Sequence, residues 1–263
     1  MADSSQPFDL ITIGRTGVDL SPLPSGVPLG DVQKFGKFPG GSAAGVSVAA
    51  ARLGRSAAVI THAVDASFAI RAARILWITG TGLGEEPSRS ATLAALKARG
   101  KAGTTVLHLD RKPALAHDTA RKDPEDARQC HAEALRHATV AVGDLDACET
   151  VTGIGEARAC ADALLAAGVE LAVVKQGTKG VLAVHRDGTT AEVPPVPIEA
   201  VNGLGADDAF GGALCHGLLS GWELERIIRY ADAAGALVAS RPADSSTMPT
   251  PEEVEGLLNG APS

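Results

Sequence analysis

The segment from Asn202 to Gly212, NGLGADDAFGG, combines four glycines with two adjacent aspartates. Gly203 and Gly205 allow tight or positive-φ backbone geometry, so the N–H groups in the first turn of a following helix can face an anion such as a phosphate. A helix is predicted there, because apolar residues at helical spacing follow the segment. Asp208 lies beside this turn and is a candidate proton acceptor. These residue types in this order suit phosphoryl transfer.

Adjacent acidic residues at the start of a helix also have a simpler explanation. Asp207 and Asp208 could act only on the positive end of the helix dipole, an effect of about 0.3–1 kcal/mol each. The surrounding glycines favour the chemical interpretation, but the two aspartates alone do not decide between these alternatives.

Length and composition indicate a soluble globular protein. The chain has 263 residues, of which 45% are hydrophobic, so it can bury a large core, and we expect a single domain over residues 1–263. Only 3% of the residues are aromatic and the formal net charge is −7. Both observations argue against a nucleic-acid partner.

The cysteines and the N-terminus indicate the compartment. The four cysteines form no C-x-x-C pair and show no metal-ligand spacing, so we expect reduced thiols and no metal-binding side chains. The first residues lack a basic segment followed by an apolar run, and no stretch of transmembrane length is free of charge. We therefore expect a cytoplasmic protein that does not bind membranes.

Apolar runs and helical patterns alternate along the chain, which predicts βαβ units and a parallel sheet. Strands are predicted at 8–14, 57–61, 75–79, 104–110, 140–143, 171–175 and 181–185, and helices at 40–54, 88–99, 124–138, 156–167, 203–220, 223–240 and from Pro251. Residues 15–39 are predicted as a loop. Ligands of such sheets bind outside the carboxyl ends of the strands, where Asp19, Asp110 and the 203–208 turn should gather.

Several common catalytic motifs are missing from the sequence. No G-x-x-x-x-G-K-[ST], G-x-S-x-G or H-E-x-x-H occurs, which removes the usual support for a P-loop, a serine hydrolase or a zinc protease. The Gly203-x-Gly205 pair lacks the third glycine of a dinucleotide-binding fingerprint and lies late in the chain, so a Rossmann cofactor site is not expected.

Three motifs in order resemble those of the ribokinase-like (PfkB-type) carbohydrate kinases. They are GGSAA at 40–44 with AAARLG at 49–54, K-x-G-x-x-G at 175–180, and GLGADDAF at 203–210. The resemblance spans nearly the whole chain. It implies a three-layer α/β/α fold with a mostly parallel central sheet, and a kinase that uses ATP and Mg²⁺.

The resemblance also implies a role for each motif residue. Asp208 is the expected base, and Gly205, Ala206 and Asp207 form the expected anion hole. Asp19, Gly40 and Gly41 are expected to bind the sugar. The expected nucleotide-binding residues are Lys175, Gly177, Gly180, Gly203, Gly205 and Asp232. Each residue singly has a structural alternative, such as a turn, a helix entry or a solvated strand end.

Three further segments narrow the acceptor. GRTGVDL at 14–20, WITGTG at 77–82 and MPT at 248–250 most resemble those family members that phosphorylate the sugar acid 5-dehydro-2-deoxygluconate in inositol catabolism. Phosphorylation of a sugar or sugar-acid hydroxyl is therefore the expected function. Nucleoside kinase specificity is an alternative acceptor preference.

The chain departs from the family pattern in two regions. Between residues 61 and 75 it is shorter, which implies that lid strands are absent or reduced and that a dimer contact often made through the lid is missing. Within the site, Asp207 replaces a glycine of the motif, Gly45 replaces an asparagine, and Asp144-x-x-Ala147 replaces Asn-x-x-Glu.

Asp207 is the departure with the largest expected effect. Two unit charges at ~4 Å and an effective dielectric of ~20 repel by about 4 kcal/mol, so an inward-facing Asp207 would oppose a phosphate strongly. Successive helical residues diverge by about 100°, so the side chain could instead point away. The alternative function is therefore a weak or inactive nucleotide- or sugar-binding descendant of the kinases.

Overall fold

Strands and helices alternate along most of the chain in the computed structural model, which describes residues 7–23, 27–61, 67–101, 103–110, 124–241 and 247–260. The strands are β1 (Phe8–Ile13), β2 (Gly17–Leu23), β3 (Lys34–Gly40), β4 (Ala57–Ile60), β5 (Ala73–Thr79), β6 (Thr104–Leu109), β7 (Val140–Asp144), β8 (Leu171–Lys175), β9 (Val181–His185) and β10 (Thr190–Val193). The α-helices are α1 (Ser42–Arg52), α2 (Ser67–Ala72), α3 (Ser88–Arg99), α4 (Pro124–Leu135), α5 (Leu145–Thr152), α6 (Ala157–Ala167), α7 (Ala206–Ser220), α8 (Leu224–Ala239) and α9 (Pro251–Leu258).

The main sheet has eight strands in the order β10-β9-β8-β7-β6-β5-β1-β4. The six strands from β8 to β4 pair in parallel, while β9 and β10 add to the β8 edge in antiparallel fashion. The predicted parallel sheet is therefore confirmed, and a short 3-10 turn at Gly177–Lys179 joins β8 to β9. None of the described helices is both long and apolar enough to cross a membrane.

Helices cover both faces of this sheet. Successive side chains of a strand point to opposite faces, so one strand contributes to two cores. In β5, Ile75 and Trp77 face a core that includes residues of α1, α7, α8 and α9. Leu76 and Ile78 of the same strand face a second core with residues of α2 to α6. The expected three-layer α/β/α arrangement is confirmed.

Helices α1 and α7 approach each other closely because glycines lie at their contact. A Cβ atom added at Gly212 would lie 2.5 Å from the Cβ of Ala49, and one at Gly211 would lie 2.6 Å from the Trp77 ring. Atoms in a packed protein do not approach so closely, so a side chain at either glycine would push the helices apart. This contact fixes the N-terminus of α7 relative to that of α1.

The prediction of a loop over residues 15–39 is wrong. Strands β2 and β3 form a separate two-stranded antiparallel sheet, in which Asp19 lies opposite Phe38 and Gly17 opposite Gly40. Prolines and glycines in both strands lower their strand propensity, which hid the pattern in the sequence. Helices α2 and α5 and strand β10 were also not predicted from the sequence.

The connection from β4 to β5 is short and is held by a buried arginine. Residues 62–66 lie outside the described residues; α2 then leads directly into β5. Arg99 of α3 is 3% exposed, and its guanidinium donates hydrogen bonds to the carbonyls of Ile70 (2.7 Å), Ala73 (2.7 Å) and Arg74 (3.1 Å). A cation at the carboxyl end of a helix is favourable, because the unpaired carbonyls there carry partial negative charge.

We predict that Arg99→Met lowers the free energy of unfolding by about 2–4 kcal/mol, because it leaves several buried carbonyls without a donor. Chemical denaturation measures this change. The control is Arg158→Met, since Arg158 is exposed and pairs with Asp162 at 3.0 Å in α6. The control should change stability by less than about 1 kcal/mol. An equal effect of the two substitutions would contradict the role of Arg99.

Candidate active site

A cleft of about 340 Å³ opens at the carboxyl ends of the parallel strands. Its lining comes from β2, β3, the start of α1, the ends of β6 and β7, and the turn before α7. Asp19, Asp110 and residues of the 203–208 turn are all among these residues, so the predicted gathering of these groups is confirmed. The position agrees with the general location of ligand sites in open α/β sheets.

Two helices begin at this cleft, and each is preceded by a glycine with positive φ. Gly41 precedes α1 with φ 96°, and Gly205 precedes α7 with φ 82°. A side chain at Gly41 would overlap the carbonyl of Arg15. Because a glycine N-cap offers no capping side chain, the first N–H groups of each helix can bind a ligand anion.

Asp208 lies in the first turn of α7 and faces α1. A Cβ atom at Gly45 would overlap the Asp208 carboxylate, so the absence of a side chain at Gly45 gives this carboxylate its place. Both residues line the cleft. The absence of a side chain at Gly45 therefore leaves room for the carboxylate of the candidate base.

Asp207 forms an ion pair with Lys175. The Nζ atom of Lys175 lies 2.5 Å from Oδ1 of Asp207, and the two side chains are 14% and 59% exposed. The lysine Nζ is also 5.7 Å from the centroid of the Phe210 ring, within the range of a cation–π contact. The pairing offsets part of the negative charge that Asp207 adds at the start of α7.

Asp19, Gly40 and Gly41, predicted to bind the sugar, all line the cleft. The antiparallel pairing of β2 with β3 brings Asp19 next to Gly40, where a Cβ atom would overlap the Asp19 carboxylate. The two-stranded sheet thus presents a carboxylate at one side of the cleft.

The predicted nucleotide-binding residues are more dispersed. Gly203 lines the cleft, and Gly177 and Gly180 flank the short 3-10 turn between β8 and β9, just after Lys175. Asp232 of α8 is not among the lining residues. Its Oδ2 accepts a hydrogen bond from the N–H of Val196 at 3.0 Å, and burial raises its pKa.

Asp144 lines the cleft and caps α5. Its Oδ1 accepts a hydrogen bond from the N–H of Ala147 at 2.7 Å, which is the usual role of an N-cap aspartate. Asp144 and Ala147, which depart from the family pattern, therefore form a regular N-cap of α5.

His108 and Ser42 line the cleft, although they were not among the predicted site residues. His108 is the penultimate residue of β6 and is 5% exposed, and its ring centroid lies 5.4 Å from that of Trp77 in a tilted arrangement. Burial lowers its pKa despite the nearby carboxylate of Asp110, so its imidazole is neutral at pH 7. A single polar residue inside the apolar run TVLHL was the only signal in the sequence.

Five aspartates line the cleft: Asp19, Asp110, Asp144, Asp207 and Asp208. Even so, the described residues contain no group of three or more acidic, histidine or cysteine side chains placed to hold a metal ion. A divalent cation would have to be held mainly by the phosphates of a ligand, as Mg²⁺ often is.

The fold and the site define an α/β protein whose cleft presents two helix N-termini, a favourable place for an anionic ligand. The pattern described as pfkB family carbohydrate kinase matches residues 61–251, more than half of the chain. The chain belongs to this family of carbohydrate kinases.

Relatives extend the similarity over almost the full length. A 5-dehydro-2-deoxygluconokinase of Listeria monocytogenes is 26% identical over 321 residues, covering 97% of each chain. The same kinase of Clostridium perfringens is 22% identical, covering 97% of this chain and 94% of its own. Because the first alignment is longer than this chain, at least 58 of its positions (321 minus 263) have no residue here.

Solved structures share the fold. A structure from E. coli described as ribokinase II in complex with ATP and Mg²⁺ has a TM-score of 0.80 at 17% identity, covering 96% of this chain and 99% of that one. An aminoimidazole riboside kinase of Salmonella enterica with bound riboside and ATP analogue has a TM-score of 0.75 at 19% identity, covering 95% and 100%.

We predict that Gly45→Ala lowers kcat about 10- to 100-fold, because the added methyl group displaces the Asp208 carboxylate. Alanine favours a helix over glycine by about 1 kcal/mol, but its methyl group would also overlap Cβ and Cγ of Asp208, so the net stability should not rise. Steady-state kinetics and chemical denaturation measure the two effects. The control Ala51→Gly, at an exposed position of the same helix, should lower the stability by about 1 kcal/mol and leave kcat unchanged. Unchanged kcat in Gly45→Ala would show that Asp208 does not act from this position.

We predict that Asp207→Asn lowers the KM for ATP about 2- to 10-fold, because it removes a carboxylate from the anion-binding helix start and leaves the charge of Lys175 unopposed there. Steady-state kinetics at low ionic strength measures this change. Asp162→Asn, which removes an exposed, paired carboxylate of α6, is the control. A raised KM would mean that Asp207 is needed to position Lys175.

Proposed function

We propose that this carbohydrate kinase transfers a phosphoryl group from ATP to a hydroxyl group of 5-dehydro-2-deoxygluconate. The observation that carries the proposal is the position of Asp208, which lies in the first turn of the anion-binding helix α7 and at the same time faces the start of α1. The names of the full-length relatives support the choice of acceptor.

In this proposal the two helix starts have different ligands. The N–H groups after Gly205 bind the transferring phosphate, where they stabilise its charge without needing to reorganise. Asp19, Gly40 and Gly41 bind the acceptor on the other side of the cleft. Asp208 lies between them and accepts the proton of the acceptor hydroxyl as it attacks.

The nucleotide belongs on the Lys175 side of the cleft. Lys175 reaches the start of α7 through its pair with Asp207, and the turn after β8 follows it in the chain. The positive-φ glycine before α7 and this lysine fit a phosphate chain. Mg²⁺ supplies charge neutralisation between the phosphates when it is bound. A fold neighbour solved with ATP and Mg²⁺ supports this assignment.

We also propose that turnover is slower than in full-length relatives, because the segment between residues 61 and 75 is shortened in a single 1–263 domain. At least 58 alignment positions have no residue here, and within the described residues the sheet beside the cleft has only two strands; both observations support this proposal. Less cover leaves more water around the reacting groups, which weakens electrostatic stabilisation. A cytoplasmic location fits this metabolic role.

The test is phosphorylation of 5-dehydro-2-deoxygluconate by the purified protein with ATP and Mg²⁺, with ribose and fructose as further acceptors. We expect product, and Asp208→Asn should lower kcat about 100-fold or more because proton transfer is lost. Asp187→Asn, in the exposed turn between β9 and β10, is the control. If no acceptor is phosphorylated above the level without enzyme, the proposal is wrong; ligand binding without turnover would instead indicate the inactive descendant.

A further inference from the structure

Three residues of the cleft carry buried polar atoms that have no hydrogen-bond partner within the described part of the chain. They are Oγ of Ser42, Nδ1 of His108 and Oδ1 of Asp110. Buried polar atoms in proteins are nearly always paired, so unpaired ones that share a cleft point to a missing ligand or water. All three residues line the cleft, so we consider a ligand bound there as their partner.

These side chains are held in place by other contacts. Oδ2 of Asp110 accepts a hydrogen bond from Thr81, which leaves Oδ1 as the unpaired atom. The ring of His108 packs in a tilted arrangement against Trp77, and Ser42 is fixed as the first residue of α1. A ligand would thus meet groups that are already ordered, which lowers the entropic cost of binding.

The types of atom define the ligand. A carboxylate oxygen can only accept a hydrogen bond, whereas a serine hydroxyl and an imidazole nitrogen can donate or accept according to their protonation. Neighbouring hydroxyl groups satisfy all three atoms, because one hydroxyl donates its single hydrogen to Asp110, while its oxygen or an adjacent hydroxyl pairs with Ser42 and His108. A phosphate has little to donate and is repelled by Asp110 and its neighbour Asp144.

We propose that Ser42, His108 and Asp110 form a hydroxyl-binding subsite in the floor of the cleft, which binds hydroxyl groups of the acceptor beside the one that faces Asp208. The subsite selects acceptors with several neighbouring hydroxyl groups. The identification of its ligand as the acceptor of phosphoryl transfer rests on the function proposed above, but the binding of a polyhydroxylated compound does not.

The contact between His108 and Trp77 gives a direct binding assay. The chain has two tryptophans, and Trp222 packs elsewhere, against His216 and Tyr230. In a Trp222→Phe background the fluorescence reports Trp77 alone. Titration with 5-dehydro-2-deoxygluconate, ribose and fructose should change this fluorescence for at least one of them, and ATP titration gives the comparison.

The variants are His108→Phe, which keeps an aromatic ring against Trp77 but removes the nitrogens, and Asp110→Asn. We expect each to weaken acceptor binding about tenfold or more, while ATP affinity changes less than about twofold. The control is Thr105→Val, because Oγ1 of Thr105 is also buried without a partner but does not line the cleft. If His108→Phe does not fold, Ser42→Ala provides the same test at the start of α1.

Unchanged acceptor affinity in these variants would overturn the subsite. So would a loss confined to ATP affinity, because the three residues would then contact the nucleotide, and so would the absence of binding by all three acceptors. Acceptor binding that weakens in His108→Phe, in a protein that phosphorylates none of the acceptors, would uphold the subsite and reject the proposed function.

Discussion

The close contact between α1 and α7 is the constraint on which the rest of the site depends. Glycines at 211 and 212 leave no side chain between α7 and its neighbours, so the helices approach until Ala49 and the Trp77 ring limit them. Both helices begin at the cleft, each after a glycine with positive φ. The contact therefore brings together two anion-attracting helix starts, and Asp208 lies between them over Gly45.

This arrangement separates the charges of the cleft by function. Asp208 points towards α1, while its neighbour Asp207 points to Lys175 and to solvent. The divergence of successive helical side chains makes this possible, so the two adjacent carboxylates face different neighbours. The remaining aspartates serve other positions: Asp144 caps α5 and Asp110 is held by Thr81.

Local patterns in the sequence were sufficient for most of the main sheet and for its helices. Residues 88–99 form α3 as predicted, and the apolar runs at 171–175 and 181–185 form β8 and β9. Strands β2 and β3 were missed because their pairing with each other, rather than their propensity, stabilises them. The ion pair of Lys175 with Asp207 and the place of Asp208 over Gly45 depend on contacts between distant segments, which no local pattern contains. His108 is an intermediate case. The sequence shows a polar residue inside a buried strand, but it does not show which residues surround that side chain in the fold.

The central claim is that the start of α7 binds the transferring phosphate while Asp208 binds the acceptor hydroxyl. The most direct measurement is a crystal structure with a non-hydrolysable ATP analogue and 5-dehydro-2-deoxygluconate bound together. The account predicts the terminal phosphate within hydrogen-bond distance of the N–H groups that follow Gly205, and an acceptor hydroxyl on the Asp208 carboxylate. A terminal phosphate bound away from α7, or an acceptor that does not reach Asp208, would contradict it.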